Sequence, residues 1–136
     1  MLEYEIKAQL SKGGMAKANA NHSEIQFDAT SGRDEVLPNP AELLLTSLAA
    51  CILKNTERYS EILHISYRKA RIIVTGKRND IPPSMSEISY QLEIDTDEDE
   101  HKIDLLHKNI LKFGTITNTL SKACKLEGTV IKSQFE

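Results

Sequence analysis

Asn39-Pro40-Ala41-Glu42 opens, and Leu43-Leu44-Leu45-Thr46-Ser47-Leu48-Ala49-Ala50-Cys51-Ile52-Leu53 continues, the segment on which the fold of this chain turns. Asn39 offers a side-chain oxygen to free backbone N–H groups, Pro40 suits the first helical position, and Glu42 stands where a capping box places its acid. The spacing predicts a helix that starts at residue 40. Between 43 and 53 nearly every residue is apolar or small, so this helix is expected to be buried all round rather than to lie on a surface. It turns polar at Lys54, Asn55, Glu57 and Arg58 and is expected to fade by Glu61.

Working outward toward the N-terminus, Leu2, Tyr4, Ile6, Ala8 and Leu10 alternate with polar residues. That period of two predicts a half-buried strand over 2–10, broken by Gly13-Gly14. Two further short strands are expected over 15–20 and 24–27, joined at Asn21-His22, and residues 29–38 form a polar loop.

Toward the C-terminus, residues 65–77 and 85–95 read as a β-hairpin closed by the proline-containing loop 79–83. Acids from 95 to 100 lead into Ile103, Leu106, His107, Ile110 and Leu111, which share one helical face. Phe113-Gly114 ends that helix, 115–123 predicts a second, and 128–135 a closing strand. The order β-β-β-α-β-β-α-α-β, with strands grouped in hairpins, is an α+β pattern. A single domain over 1–136 is expected.

A helix apolar on all sides needs cover on all sides, and one small antiparallel sheet covers one face. In 136 residues a second copy supplies the rest most economically, so a homodimer is expected. The alternative is cover by the two C-terminal helices of the same chain.

Composition excludes other classes. With 40% hydrophobic and 27% charged residues the chain is neither disordered nor low-complexity. A net charge of −3 gives no basic footprint, so neither nucleic acid nor an anionic membrane is an expected partner. Residues 1–6 have no secretory pattern, and the apolar run is far short of the ~20 residues of a membrane span. Two cysteines make no disulfide scaffold, which points to reduced thiols and a cytoplasmic setting. His22, His64, His101 and His107 show no metal-ligand spacing, and no metal or other cofactor is expected.

The segment from Asn39 to Cys51 resembles the motif that opens the central helix of the OsmC/Ohr superfamily. Gly114-Thr115-Ile116-Thr117-Asn118-Thr119-Leu120 is similar to the family's second motif, in which a cysteine precedes a short helix. The resemblance implies an intertwined homodimer of antiparallel sheets around central helices. It also implies a thiol peroxidase that reduces organic hydroperoxides with two cysteines, helped in the Ohr branch by an arginine and a glutamate.

Carried over residue by residue, Cys51 takes the place of the peroxide-reacting cysteine. The second cysteine's place falls on Gly114, which has no thiol. The Ohr-type glutamate falls on Ala41, whereas Glu42 matches the acid of the wider superfamily. The Ohr-type arginine's place holds Met15, which leaves Arg33, in the loop before the helix, as the candidate cation. A guanidinium near Cys51 would favour its thiolate, the reactive form.

Each of these residues also has a plainer role. Cys51 fits as a small apolar residue in a buried helix, and Glu42 as a capping acid. Cys124 lies ten residues past Gly114, roughly 15 Å along a helix, beyond the ~7 Å reach of a disulfide, and is expected to be a spectator. Three functions remain open: peroxide reduction through Cys51 with an external thiol reductant, binding of a small apolar or acyl molecule in a dimer-interface pocket, or redox sensing. Met15, Leu48, Ile52, Phe113 and Gly114 are the candidate pocket residues.

Overall fold

The N-terminal alternation builds β1 (Lys7–Ser11), which pairs antiparallel with β2 (Met15–Ala20), and β2 pairs likewise with β3 (Ser23–Asp28). The coordinates are those of a computed structural model, which describes residues 1–135. The chain divides into two compact units, and this sheet belongs to the first, Met1–Leu44. Gly13 and Gly14 make the first turn with φ of 104° and 100°, where a side chain would be strained.

The first strand starts at Lys7, not at Leu2. Lys7 faces Asn19, and β2 ends one residue later at Ala20, so no backbone of β2 remains for residues 2–5 to pair with. Residues paired across a ladder share a face. Leu10, Ala16 and Phe27 therefore stand with Ala8, Ala18 and Ile25 on an apolar face, and Gln9, Lys17 and Gln26 on a polar one. On the apolar face Leu10 is 63% and Ile25 47% exposed.

Asp28, at the end of β3, organises the loop that follows. Its carboxylate accepts from the Thr30 N–H at 2.9 Å, the Thr30 hydroxyl at 2.6 Å and the Asp34 N–H at 3.2 Å. The Thr30 hydroxyl bond above all lowers its pKa, and the Arg33 charge adds to this.

Helix α1 (Pro40–Ile62) begins where the capping residues predict. The Asn39 side-chain oxygen accepts from the Glu42 N–H at 2.9 Å, and the Glu42 carboxylate accepts from the Asn39 N–H at 3.1 Å. A single chain covers this helix on one side, as one small sheet does. Within the chain only the stripe Leu48, Ile52, Thr56 and Ser60 is buried, and Ala50 on another side is exposed. A stripe of residues four apart is what cover on one side produces.

The second unit, from Leu45 onward, contains a sheet of order β4-β5-β6. Strands β4 (Lys69–Asp80) and β5 (Pro83–Asp95) form the expected hairpin, turning at Ile81-Pro82. Strand β6 (Lys125–Lys132) starts earlier than expected and runs parallel to β5, with Ile88 opposite Leu126 and Ile94 opposite Lys132. A parallel neighbour requires a crossover, which α2 (Glu100–Phe113) and α3 (Thr115–Leu120) supply. Central β5 carries the core residues Ile88, Tyr90, Leu92 and Ile94, and α2 adds Ile103, Leu106 and Ile110. No helix among the described residues is long and apolar enough to cross a membrane.

Tyr90 and Gly128 face each other across β5 and β6, and the Tyr90 ring fills the space a Gly128 side chain would take. The Tyr90 hydroxyl meets His107 Nε2 of α2 at 2.6 Å. Burial pushes the hydroxyl pKa up to about 12 and lowers that of the His107 ring.

Candidate functional site

Cys51 lies midway along α1, half-buried, directly before the enclosed Ile52. Its sulfur faces Gly114, the residue that joins α2 to α3: a Cβ added to Gly114 would stand 3.2 Å from Cys51 Sγ. That Cβ would also press on Thr117 Oγ1 and stand 3.0 Å from the Ile110 carbonyl. Gly114 has φ −75° and ψ 120°, open to any residue, so crowding rather than backbone strain favours glycine here. The Thr117 hydroxyl donates to the Gly114 carbonyl at 2.8 Å and braces the turn.

On its helical side Cys51 meets Asn55. The Asn55 side-chain amide donates to the Cys51 carbonyl at 2.9 Å and to Cys51 Sγ at 3.5 Å. One turn further on, Tyr59 stacks on Phe113, with ring centres 5.2 Å apart and planes 16° from parallel. Cations flank the pair: the Arg58 guanidinium lies 5.9 Å from the Tyr59 ring centre and the Lys112 ammonium 5.2 Å from that of Phe113. Cys51, Asn55 and Tyr59, four residues apart, thus form a half-buried stripe beside the enclosed one. The thiol stands between an amide donor and a glycine turn, and the aromatic pair lies further along the same stripe.

The other residues singled out in the sequence each have surroundings of their own. Arg33 is exposed in the loop before α1, where its charge acts on Asp28 of the same unit. Glu42 is held in the capping box with Asn39. Met15 opens β2 opposite Ser11 and Asp28 and is 79% exposed. It lines a depression of about 360 Å³ on the first sheet with Gln9, Lys17 and Gln26. Leu48 and Ile52 have no exposed surface, so they belong to the core and cannot form the wall of an open pocket. Phe113, 48% exposed, and the buried Gly114 do adjoin Cys51 and its stripe. Cys124 is a free thiol past α3, its Sγ 3.7 Å from the Leu120 carbonyl. Among the described residues no group of three or more His, Cys, Asp or Glu is placed to hold a metal ion.

Sequence reasoning missed Asn55, Tyr59 and Thr117. The first two carry a signal, the spacing of four and eight residues from Cys51, which puts them on its face of the helix. Thr117 carries none, because its place depends on the turn at Gly114.

Comparison with known proteins gives a consistent picture. The model of the family described as OsmC-like protein matches residues 32–128. No curated protein matches the sequence. Among solved structures, an OsmC-like protein from Mycoplasma pneumoniae is 25% identical, with a TM-score of 0.88 over 98% of this chain and 99% of the other. An organic hydroperoxide resistance protein OsmC from Legionella pneumophila is 14% identical, with a TM-score of 0.76 over 96% and 98%. The organic hydroperoxide resistance protein OhrB of Bacillus subtilis is 16% identical, with a TM-score of 0.67 over 94% and 98%. At those last two identities the likeness is one of fold.

Proposed function

The chain belongs to the OsmC-like protein family, and from that membership we propose that it reduces organic hydroperoxides with Cys51 as its one reacting thiol. The observation that carries this reading is the facing of Cys51 and Gly114. The position beside the sulfur, where the family resemblance puts a second thiol, has no side chain, so the oxidised sulfur must be reduced from outside.

The chemistry balances with an external thiol as the named reductant. The Cys51 thiolate attacks one oxygen of R–O–O–H; the O–O bond breaks and its electron pair leaves with the alkoxide, which takes a proton to become the alcohol. The sulfur, oxidised by two electrons, keeps the other oxygen as a sulfenic acid. An external thiol condenses with that acid, releasing water and leaving a mixed disulfide. A second thiol attacks the mixed disulfide, returns the Cys51 thiol and leaves as the external disulfide.

Further observations support the reading. The Tyr59–Phe113 stack, on the same stripe of α1 two turns past the thiol, offers an apolar surface to an organic group. The exposed apolar sheet face at Leu10 and Ile25, and the one-sided burial of α1, are what a homodimer would cover. The thiol reductant suits a reducing compartment, so the cytoplasm is the setting proposed. Relatives of the same fold from Legionella pneumophila and Bacillus subtilis are named for organic hydroperoxide resistance.

The test is consumption of cumene hydroperoxide with dithiothreitol as reductant. Cys51→Ser is expected to fall to the rate without protein, and Cys124→Ser to keep the full rate. Equal rates for the unmodified protein and Cys51→Ser would overturn the proposal in favour of a binding protein for a small apolar molecule.

A further inference from the structure

We propose that Asn55 is a catalytic residue whose side-chain amide holds the Cys51 sulfur as its thiolate; the inference rests on Cys51 being the reacting thiol. Two bonds define the arrangement. The Asn55 amide nitrogen lies 2.9 Å from the Cys51 carbonyl oxygen and 3.5 Å from Cys51 Sγ. A carbonyl oxygen only accepts, so the first bond requires the NH2 end of the side chain, rather than its oxygen, to face Cys51. An amide NH2 has two hydrogens. One is committed to the carbonyl, and the other is left for the sulfur.

A donor aimed at sulfur stabilises the anion more than the neutral thiol. Asn55 is half-buried, which limits competition from water. Being neutral, the amide gives the same support at every pH where the protein is folded.

The bond to the carbonyl alone is ordinary helix chemistry. Asn109 makes the same bond to the Leu105 carbonyl at 2.9 Å in α2, where the residue four places back has no sulfur. Asn55 differs because that residue is Cys51, whose sulfur has Gly114 on its other side. Asn109 is therefore an internal control for the loss of the backbone bond by itself.

The experiment follows alkylation of Cys51 by iodoacetamide across pH in a Cys124→Ser background. Asn55→Leu, which keeps the bulk and removes the donor, is expected to slow alkylation about tenfold at neutral pH, the scale of one hydrogen bond to a charged group. Its profile is expected to move up in pH and to rejoin the parent rate at high pH. Asn55→Asp, which keeps the shape and replaces the donor with an anion, is expected to move the profile further up and serves if Asn55→Leu does not fold. Asn109→Leu is expected to leave the profile in place.

Unmoved profiles for both Asn55 variants would overturn the proposal. So would a loss of rate by the same factor at every pH, which reports access to the sulfur. An equal shift in Asn109→Leu would overturn it too. The two readings separate cleanly. A protein that consumes no hydroperoxide but shows the shift retains the Asn55–Cys51 bond and loses the peroxidase reading; one that consumes hydroperoxide with unmoved profiles does the reverse.

Discussion

Cys51 Sγ lies 3.2 Å from the point where a side chain on Gly114 would begin. In a disulfide a cysteine Cβ is about 3 Å from the partner sulfur, as the S–S length near 2.05 Å requires. The backbone thus already holds the spacing of a cross-link that the residues present cannot form. Gly114→Cys is expected to restore it once Thr117→Ala removes the hydroxyl that stands in the way. In a Cys124→Ser background, one equivalent of cumene hydroperoxide is expected to leave this double variant with no titratable thiol and a Cys51 disulfide by mass spectrometry. Free thiols after oxidation would show that the two positions do not meet in solution.

The glycine itself reflects crowding by Thr117 and the Ile110 carbonyl. Gly114→Ala is expected to lower stability by about 1–3 kcal/mol, the usual cost of overpacking. Adding Thr117→Ala is expected to return part of it. Urea unfolding midpoints measure both, and a neutral Gly114→Ala would rule out crowding as the cause.

The capping box at the start of α1 is a second energetic claim. Removing the Asn39 oxygen by Asn39→Ala leaves the Glu42 N–H without that acceptor and is expected to cost about 1 kcal/mol. Asn39→Asp keeps an acceptor and is expected to cost little. Similar losses in both variants would show that the cap does not hold the helix start.

Acid sensitivity should arise at Tyr90 and His107. Burial lowers the His107 pKa, with the smaller effect of Asp104 opposing it. The unfolded chain then binds a proton at this ring more readily than the folded one, so the contribution to stability is present above the ordinary value near 6.5 and is lost as pH falls toward the lowered one. His107→Gln is expected to flatten the pH dependence of the urea midpoint in that window. An unchanged slope would remove His107 as its source.

Much of this was legible in the residues. Asn39, Pro40 and Glu42 announce the helix start, and the apolar spacing of Ile103, Leu106 and Ile110 announces α2. What was not legible depends on partners distant in sequence. Residues 2–5 alternate like a strand, yet β2 is too short to pair with them. The parallel run of β6 follows from the crossover through α2 and α3, which local composition does not record. Which stripe of α1 the chain itself covers, Leu48, Ile52, Thr56 and Ser60, is likewise set by what packs on it.

Site residues divide in the same way. Cys51 and Gly114 were legible as a pair through the family motifs, and the fold brings them face to face. Leu48 and Ile52 stand close to Cys51 in sequence, but their positions on the helix turn them into the core. In sequence Asn55 marks only the polar end of the helix, since a bond from one side chain to the sulfur of another shows only in three dimensions.

The central claim is that Cys51 reacts with peroxide and waits for an outside reductant. Its most direct measurement is the intact mass of the reduced protein after one equivalent of cumene hydroperoxide, with no thiol present. The account predicts a gain of about 16 Da on Cys51, one oxygen, convertible to a dimedone adduct as a sulfenic acid is. An unchanged mass, or a loss of about 2 Da from a Cys51–Cys124 disulfide, would contradict it.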